Sequence, residues 1–198
     1  MKRDWTGNKN SIYKTLGASN HTEKERQEDD YYATDPTAID VLMDVEIFSY
    51  NLWEPACGQG HLSKRLLEYG HKVYSTDLID RGYGDGILDF LRCNVVFNGD
   101  IITNPPYKFA SEFVEVGMSL TRKKLALFLK LQFLEGKARK EIFKKYPPKY
   151  VYVSSSRIMC AKNGDFAGMI AGGGSAVAYG WFIWYKDWEG DTILRWIN

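Results

Sequence analysis

The chain has 198 residues, 44% of them apolar and 15% aromatic, and carries a formal net charge of +1. That is enough for one well-buried domain and short of two ordinary ones. No apolar run approaches the roughly 20 residues of a membrane span, Met1-Lys2-Arg3-Asp4-Trp5 lacks a signal-peptide core, and Cys57, Cys93 and Cys160 form neither Cys-x-x-Cys pairs nor zinc spacings with His21, His61 and His71. The expectation is a soluble protein that is not exported, touches no membrane, and has neither disulfides nor a metal.

Residues 1–30 balance six Lys/Arg against six Asp/Glu without sustained periodicity, so an irregular arm is expected, with one short helix near 22–29. Trp5, Ile12, Tyr13 and Leu16 are apolar anchors that a purely solvated tail would not need. From Tyr31 onward, Ile39, Leu42, Met43 and Ile47 fall at helical spacing, with Pro36 suited to the first turn and Thr34 or Asp35 to the N-cap.

Asn51-Leu52-Trp53-Glu54 reads as a strand stopped by Pro55, after which Gly58 and Gly60 allow a tight turn and Leu62, Leu66 and Leu67 open a helix. Strand, glycine turn and helix together form a nucleotide-binding unit. The third glycine of the dinucleotide fingerprint and the Gly-Lys-Ser/Thr of a phosphate loop are both missing, so neither NAD nor ATP is favoured. The next strand, Lys72–Asp77, ends in an acid 19 positions after Gly58, near the roughly 20 at which such an acid bonds ribose hydroxyls. Gly82 to Phe90 reads as a loop, or as a turn leading into a short helix, and Cys57 as a small packed residue.

Asp100-Ile101-Ile102-Thr103 has strand character, and Pro105-Pro106 forces the strand to end at Asn104. Carboxyl ends of strands are where open α/β sheets place their chemistry. There the Asn104 side-chain oxygen and the Pro105 carbonyl can each accept one hydrogen of an exocyclic amine while Tyr107 stacks on the attached ring. The bland alternative is a proline-rich strand exit with a packed Tyr107.

Phe109 to Leu120 shows helical spacing, and Leu125 to Leu129 is a buried central strand. A basic helix then runs to Pro147-Pro148, followed by a strand at Tyr150–Ser154, a glycine-rich loop at 168–174 and an aromatic closing strand at 179–185. Residues 122–149 hold ten Lys/Arg against two Glu, a local +8 that leaves −7 for the rest. Such density is either a nucleic-acid footprint or a solvated helix face.

Asn104-Pro105-Pro106-Tyr107 resembles the catalytic motif of amino-group methyltransferases, which act on adenine or on glutamine in release factors. Glu54-Pro55-Ala56-Cys57-Gly58-Gln59-Gly60 resembles the first cofactor motif of S-adenosylmethionine-dependent methyltransferases, with Glu54 facing the cofactor's cationic methionine moiety. Tyr31-Tyr32-Ala33-Thr34-Asp35-Pro36 is similar to the N-terminal cofactor motif of adenine methyltransferases, Asp89-Phe90 to the pair that contacts the cofactor's adenine, and Ser155-Ser156-Arg157-Ile158 to their target-base segment.

The resemblance covers residues 31–198 and is to adenine-specific DNA methyltransferases, particularly the compact forms of phages and prophages. It implies a Rossmann-like class I α/β fold: one domain at 31–198 with a mostly parallel seven-stranded sheet, an antiparallel last strand, helices on both faces and no separate target-recognition domain. S-adenosyl-L-methionine would meet Tyr32, Thr34, Glu54, Pro55, Cys57, Gly58, Gly60, Asp77, Asp89, Phe90 and Asn104. Asn104, Pro105, Pro106 and Tyr107 would do the chemistry, and Lys137, Arg139, Lys140, Lys144, Lys145 and Arg157 would meet nucleic acid. DNA is the expected partner, with RNA as second substrate class, for a monomer or weak homo-oligomer in the cytoplasm of a bacterium or phage-infected cell. The rivals are a release-factor glutamine methyltransferase and a nucleic-acid-binding module with a relic cofactor pocket.

Overall fold

The computed structural model describes residues 31–171 and 177–198. The arm expected at 1–30 lies outside the described residues, as do residues 172–174 of the expected glycine-rich loop; its first part belongs to a short helix, Phe166–Ala171.

Ten strands and five α-helices follow in chain order among the described residues. The strands are β1 Tyr32–Thr34, β2 Asn51–Glu54, β3 Lys72–Asp77, β4 Gly86–Ile87, β5 Asp100–Thr103, β6 Lys124–Lys130, β7 Tyr150–Ser154, β8 Cys160–Lys162, β9 Tyr179–Tyr185 and β10 Ile193–Ile197. The helices are α1 Thr37–Met43, α2 His61–Glu68, α3 Ala110–Leu120, α4 Lys137–Lys145 and α5 Phe166–Ala171. Eight strands form one sheet in the order β10-β7-β9-β6-β5-β2-β3-β4, and β1 pairs with β8 in a separate two-stranded ribbon. Only β9 runs against its neighbours in the main sheet.

Strict alternation along the central strands sends side chains into two cores, one under each helical layer. Leu125, Leu127 and Leu129 join Phe182, Trp184 and the α3 residues Phe113 and Val114 on one face. Ala126 and Phe128 join Trp181, Ile183 and the residues Ile39, Leu42, Leu62 and Leu66 of α1 and α2 on the other. Burial on both faces explains why β6 and β9 read as continuous apolar runs. Two fully buried indoles are satisfied: Trp181 Nε1 donates to Ala38 O at 2.7 Å and Trp184 Nε1 to Tyr146 O at 2.9 Å.

Two expectations change. The sheet has eight strands rather than seven, and the antiparallel strand is followed by one more. β10 is parallel to β7 at the sheet edge, with four of its five residues exposed. An edge strand buries too little to announce itself as an apolar run. The first helix also stops at Met43, and Ile47 is 88% exposed. Glu46 is drawn inward instead, where it pairs with Lys124 Nζ at 2.7 Å and accepts from the hydroxyls of Tyr152 and Tyr185, each at 2.8 Å. Pro36, rather than Thr34 or Asp35, is the N-cap of α1; Asp35 Oδ1 accepts from Thr37 N at 2.9 Å just ahead of it, and Thr34 is buried. Among the described residues no helix is long and apolar enough to cross a membrane.

Candidate active site

The carboxyl ends of β2, β3, β5 and β6 share one edge of the sheet, and the β1–β8 ribbon reaches Asn104 at that edge. This brings together residues that the sequence scatters. Asn104 follows the last residue of β5, and its Nδ2 donates to Thr34 Oγ1 at 2.7 Å and to Tyr32 O at 3.5 Å, with Cys160 Sγ 3.8 Å away. Its Oδ1 is buried without any hydrogen-bond partner. A buried polar atom left unpaired costs about 1–3 kcal/mol, so an orphan acceptor at a strand's carboxyl end marks a place for a donor from outside the chain. Pro105 is buried and Pro106 exposed; the turn that follows takes its first bond at Pro106 O, from Phe109 N at 2.9 Å, and leaves the Pro105 carbonyl out of it.

Tyr107 is built into a wall rather than standing free as a lid. Its ring is half-buried, with centroids 6.0 Å from Tyr32 and 5.8 Å from Tyr179, and Lys130 Nζ sits 4.5 Å from its centre. The hydroxyl is buried beside Cys160 and Tyr179, and burial pushes its pKa well up.

The glycine turn lies one strand away. Gly58 and Gly60 both take left-handed backbone, φ +55° and +78°, open at low cost to glycine alone. A Cβ on Gly58 would fall 2.2 Å from the Tyr31 ring, and one on Gly60 2.3 Å from the Tyr83 ring, so these two aromatics wall the turn. Asp77 ends β3 and ties it to the turn: its Oδ2 accepts from Gly58 N at 2.8 Å and its Oδ1 from Ile79 N at 3.1 Å. Beyond it opens a cavity of about 120 Å³ lined by Ile79, Asp80 and residues 83–87. Pro55 and Cys57 are buried beside the turn, and burial pushes the Cys57 thiol up to about 12, which suits a packed residue and not a nucleophile.

Three expected contacts need correction. Glu54 does not stand open to a ligand: it is 2% exposed and accepts from the Ser63 hydroxyl, itself 2.7 Å from Ser75 Oγ. Burial raises its pKa from 4.5 to about 8, against the opposing hydrogen bonds from Ser63. Phe90 is 3% exposed between Trp53 and Phe113 and is a core residue, while Asp89 caps its short helical turn by accepting from Leu91 N at 3.1 Å. A turn leading into a short helix describes that segment better than an adenine contact.

The third correction concerns charge. α4 starts after the carboxyl end of β6 and runs back toward the amino end, where Tyr146 O accepts from Trp184 Nε1. At 1.5 Å per residue, Lys145 lies about 12 Å along the axis from Lys137. Lys137 and Lys140 are therefore on the half of the exposed helix toward the Asn104 edge, whereas Lys144 and Lys145 lie away from it and pair with Glu141 at 2.8 Å and Glu115 at 3.5 Å. Arg139 bonds Glu135 O and covers Phe133, and Arg157 is exposed in the loop after β7. A larger cavity, about 370 Å³ and lined by Arg122, Lys123, Lys124 and Trp188 among others, lies at the opposite, amino end of the sheet. It holds none of the glycine-turn or Asn104 residues.

Ser63, Ser75, Tyr83, Lys130, Cys160 and Tyr179 carry no signal in the sequence, whereas Tyr31 belongs to the N-terminal motif. A serine on a helix and another in a strand carry no pattern that pairs them; only the packed fold does.

No protein-family model matches the chain, and no curated protein matches it in sequence. Solved structures do match in fold. A type I restriction-modification methyltransferase subunit from Streptococcus thermophilus aligns at 13% identity and TM-score 0.57 over 85% of this chain and 48% of its own. Magnesium protoporphyrin IX methyltransferase from Synechocystis, with S-adenosylmethionine bound, aligns at 15% identity and TM-score 0.51 over 76% of each chain. A dimethyladenosine transferase from Plasmodium falciparum aligns at 15% identity and TM-score 0.53 over 77% of this chain and 62% of its own. The chain has the class I methyltransferase fold, and spans about half the length of the restriction subunit it matches.

Proposed function

We propose that the chain transfers a methyl group from S-adenosylmethionine to the exocyclic amino group of adenine in DNA. The observation that carries this reading is the buried, partnerless Oδ1 of Asn104 at the carboxyl end of β5. The residues present fit the cofactor: two left-handed glycines for close approach, Asp77 at the end of β3, and a buried Glu54 whose ionisation a neighbouring cation would favour. Gly58, Gly60 and Asp77, with Tyr32, would hold it, and its sulfonium would supply an electrophilic methyl group; Thr34, expected among these contacts, is 3% exposed and bonded to Asn104 instead.

The chain's own contribution is to orient the amine. Adenine's amino nitrogen is conjugated into the ring and is a poor nucleophile. Accepting its two hydrogens at Asn104 Oδ1 and Pro105 O favours a more pyramidal nitrogen whose lone pair is directed away from both acceptors. Direct displacement, in which the amine would gain the methyl group and give up one of its two protons to solvent, needs no covalent enzyme intermediate, in keeping with the raised Cys57 thiol. In duplex DNA the base must first leave the stack, at a few kcal/mol, which contact with the Tyr107 ring offsets in part.

DNA is favoured over other amine donors by the fold likeness to restriction-modification subunits and by the basic half of α4 on the same side as Asn104. The deciding experiment incubates the protein with tritiated S-adenosylmethionine and DNA, RNA or protein in parallel, with Asn104→Ala as control. Label in N6-methyladenine of DNA, lost in the control, is expected; label in RNA or glutamine alone would replace the substrate, and none in any arm would refute the reading.

A further inference from the structure

We infer that Thr34 is a positioning residue: through the β1–β8 ribbon it fixes which end of the Asn104 carboxamide faces the substrate. This rests on the reading of Asn104 as the amine's acceptor. The two ends of a carboxamide are nearly identical in shape and opposite in hydrogen-bonding character. Turned one way, Asn104 offers an acceptor to an incoming amine; turned the other, it offers a second NH2, and the two donors repel. Nothing in the Asn-Pro-Pro-Tyr segment itself selects between them.

The selection comes from the other side of the residue. Tyr32 O, 3.5 Å from Nδ2, is a carbonyl and can only accept, so the NH2 end belongs there. Thr34 Oγ1 makes the shorter contact, 2.7 Å. Its own hydrogen has an outlet, because Cys160 Sγ lies 3.9 Å away; directed at the sulfur, it leaves the oxygen's lone pairs for Asn104. Thr34 and Cys160 are 3% and 1% exposed, so water cannot replace either partner.

Strand pairing holds this arrangement in place. Thr34 and Cys160 are direct partners in the β1–β8 register. Backbone bonds from Asp35 N to Met159 O and from Asn163 N to Tyr31 O, both 2.9 Å, extend the ribbon at its two ends. The ribbon is not part of the main sheet, and its contact with Asn104 links residues 70 and 56 positions away to the carboxyl end of β5.

The test compares Thr34→Val, which keeps the branched shape and removes the acceptor, with Thr34→Ser, which restores it. Hydrogen exchange of the Asn104 side-chain NH2, its resonances identified by their loss in Asn104→Asp, should be slow in the wild type, fast in Thr34→Val and slow again in Thr34→Ser. Thr34→Ala gives the same readout should valine pack badly. Turnover of Thr34→Val should fall about tenfold, the worth of one buried hydrogen bond, with cofactor affinity unchanged and most of the loss recovered in Thr34→Ser. In an Asn104→Ala background the valine substitution should cost nothing further, because its effect passes through the missing side chain. Unchanged exchange in both Thr34→Val and Thr34→Ala, or an additive loss in the double variant, would overturn the inference while leaving the proposed reaction standing. Full methyl transfer by Asn104→Ala would instead refute the reaction, and the positioning role with it.

Discussion

Replacing Glu54 by Gln should change how folding stability responds to pH. The carboxyl is 2% exposed, and burial lifts its pKa from 4.5 to about 8 in the folded chain. Between these values the unfolded chain has released the proton and the folded chain still holds it. Fewer protons are bound in the unfolded state, so stability falls as pH rises through that window and is unaffected by this group below it. At 1.36 kcal/mol per pH unit the interval caps the loss at about 5 kcal/mol, and at pH 7 at about 3 kcal/mol. The Ser63 hydroxyl, which bonds the carboxylate, is already part of that balance. Gln keeps the size and an acceptor for Ser63 without a proton to lose. Urea unfolding of both proteins at pH 5, 6, 7 and 8 should show curves that diverge, with the variant gaining on the wild type by up to about 1.4 kcal/mol per pH unit. Parallel curves would show that Glu54 ionises in the folded protein as it does in water, and the buried-acid account of the site would fail.

Four further outcomes are expected. Asn104→Ala should lower turnover by a factor on the order of hundreds while calorimetric cofactor affinity holds, since the acceptor acts most in the transition state. Asp77→Ala removes both a ribose acceptor and the bond to Gly58 N, so cofactor affinity should drop; unchanged calorimetry would remove β3's end from the cofactor site. Neutralising Lys137 and Lys140 should flatten the salt dependence of log K for duplex DNA by about 0.9 for each phosphate they no longer neutralise, whereas neutralising Lys144 and Lys145 should leave the slope alone. Tyr107→Phe should retain most stability and activity because the ring rather than the hydroxyl forms the wall, while Tyr107→Ala should lower both melting temperature and single-turnover rate, having emptied a wall shared by the two cores.

Most strands were legible because burial on both faces writes itself as an apolar run. Lys124–Lys130 and Tyr179–Tyr185 are such runs; Lys72–Asp77 and Tyr150–Ser154, less buried, also fall at the expected bounds. The glycine turn and the proline-stopped strand were legible for a different reason: backbone conformations that few residues tolerate leave a mark on the sequence. What escaped was marked by neither. β10 is an exposed edge, and the β1–β8 ribbon is two three-residue strands separated by 125 residues of intervening chain. The motif marks Glu54 but not the hydrogen bond that receives it, from Ser63 nine residues away on a helix. Phe90 was misjudged because an aromatic beside an acid looks alike in a ligand contact and in a capped turn.

The same distinction governs the +8 run at 122–149. In sequence it is one feature; in space the sheet divides it. Arg122, Lys123 and Lys124 stand at the amino end of β6, and Lys124 is already neutralised by Glu46. Lys130 ends the same strand at the opposite edge, beside Tyr107, and α4 then returns toward the amino end over about 12 Å. That distance exceeds the Debye length of about 8 Å at physiological salt, so the two ends of α4 do not act as one patch. On the proposed reaction, a nucleic acid presenting a base to Asn104 would meet Lys130 beside Tyr107, with Lys137 and Lys140 on the same side of the sheet, and would feel the cluster of Arg122, Lys123, Lys144 and Lys145 only weakly. The charge such binding would use is therefore smaller than the sequence count and sits on the side of the sheet that carries the unpaired acceptor.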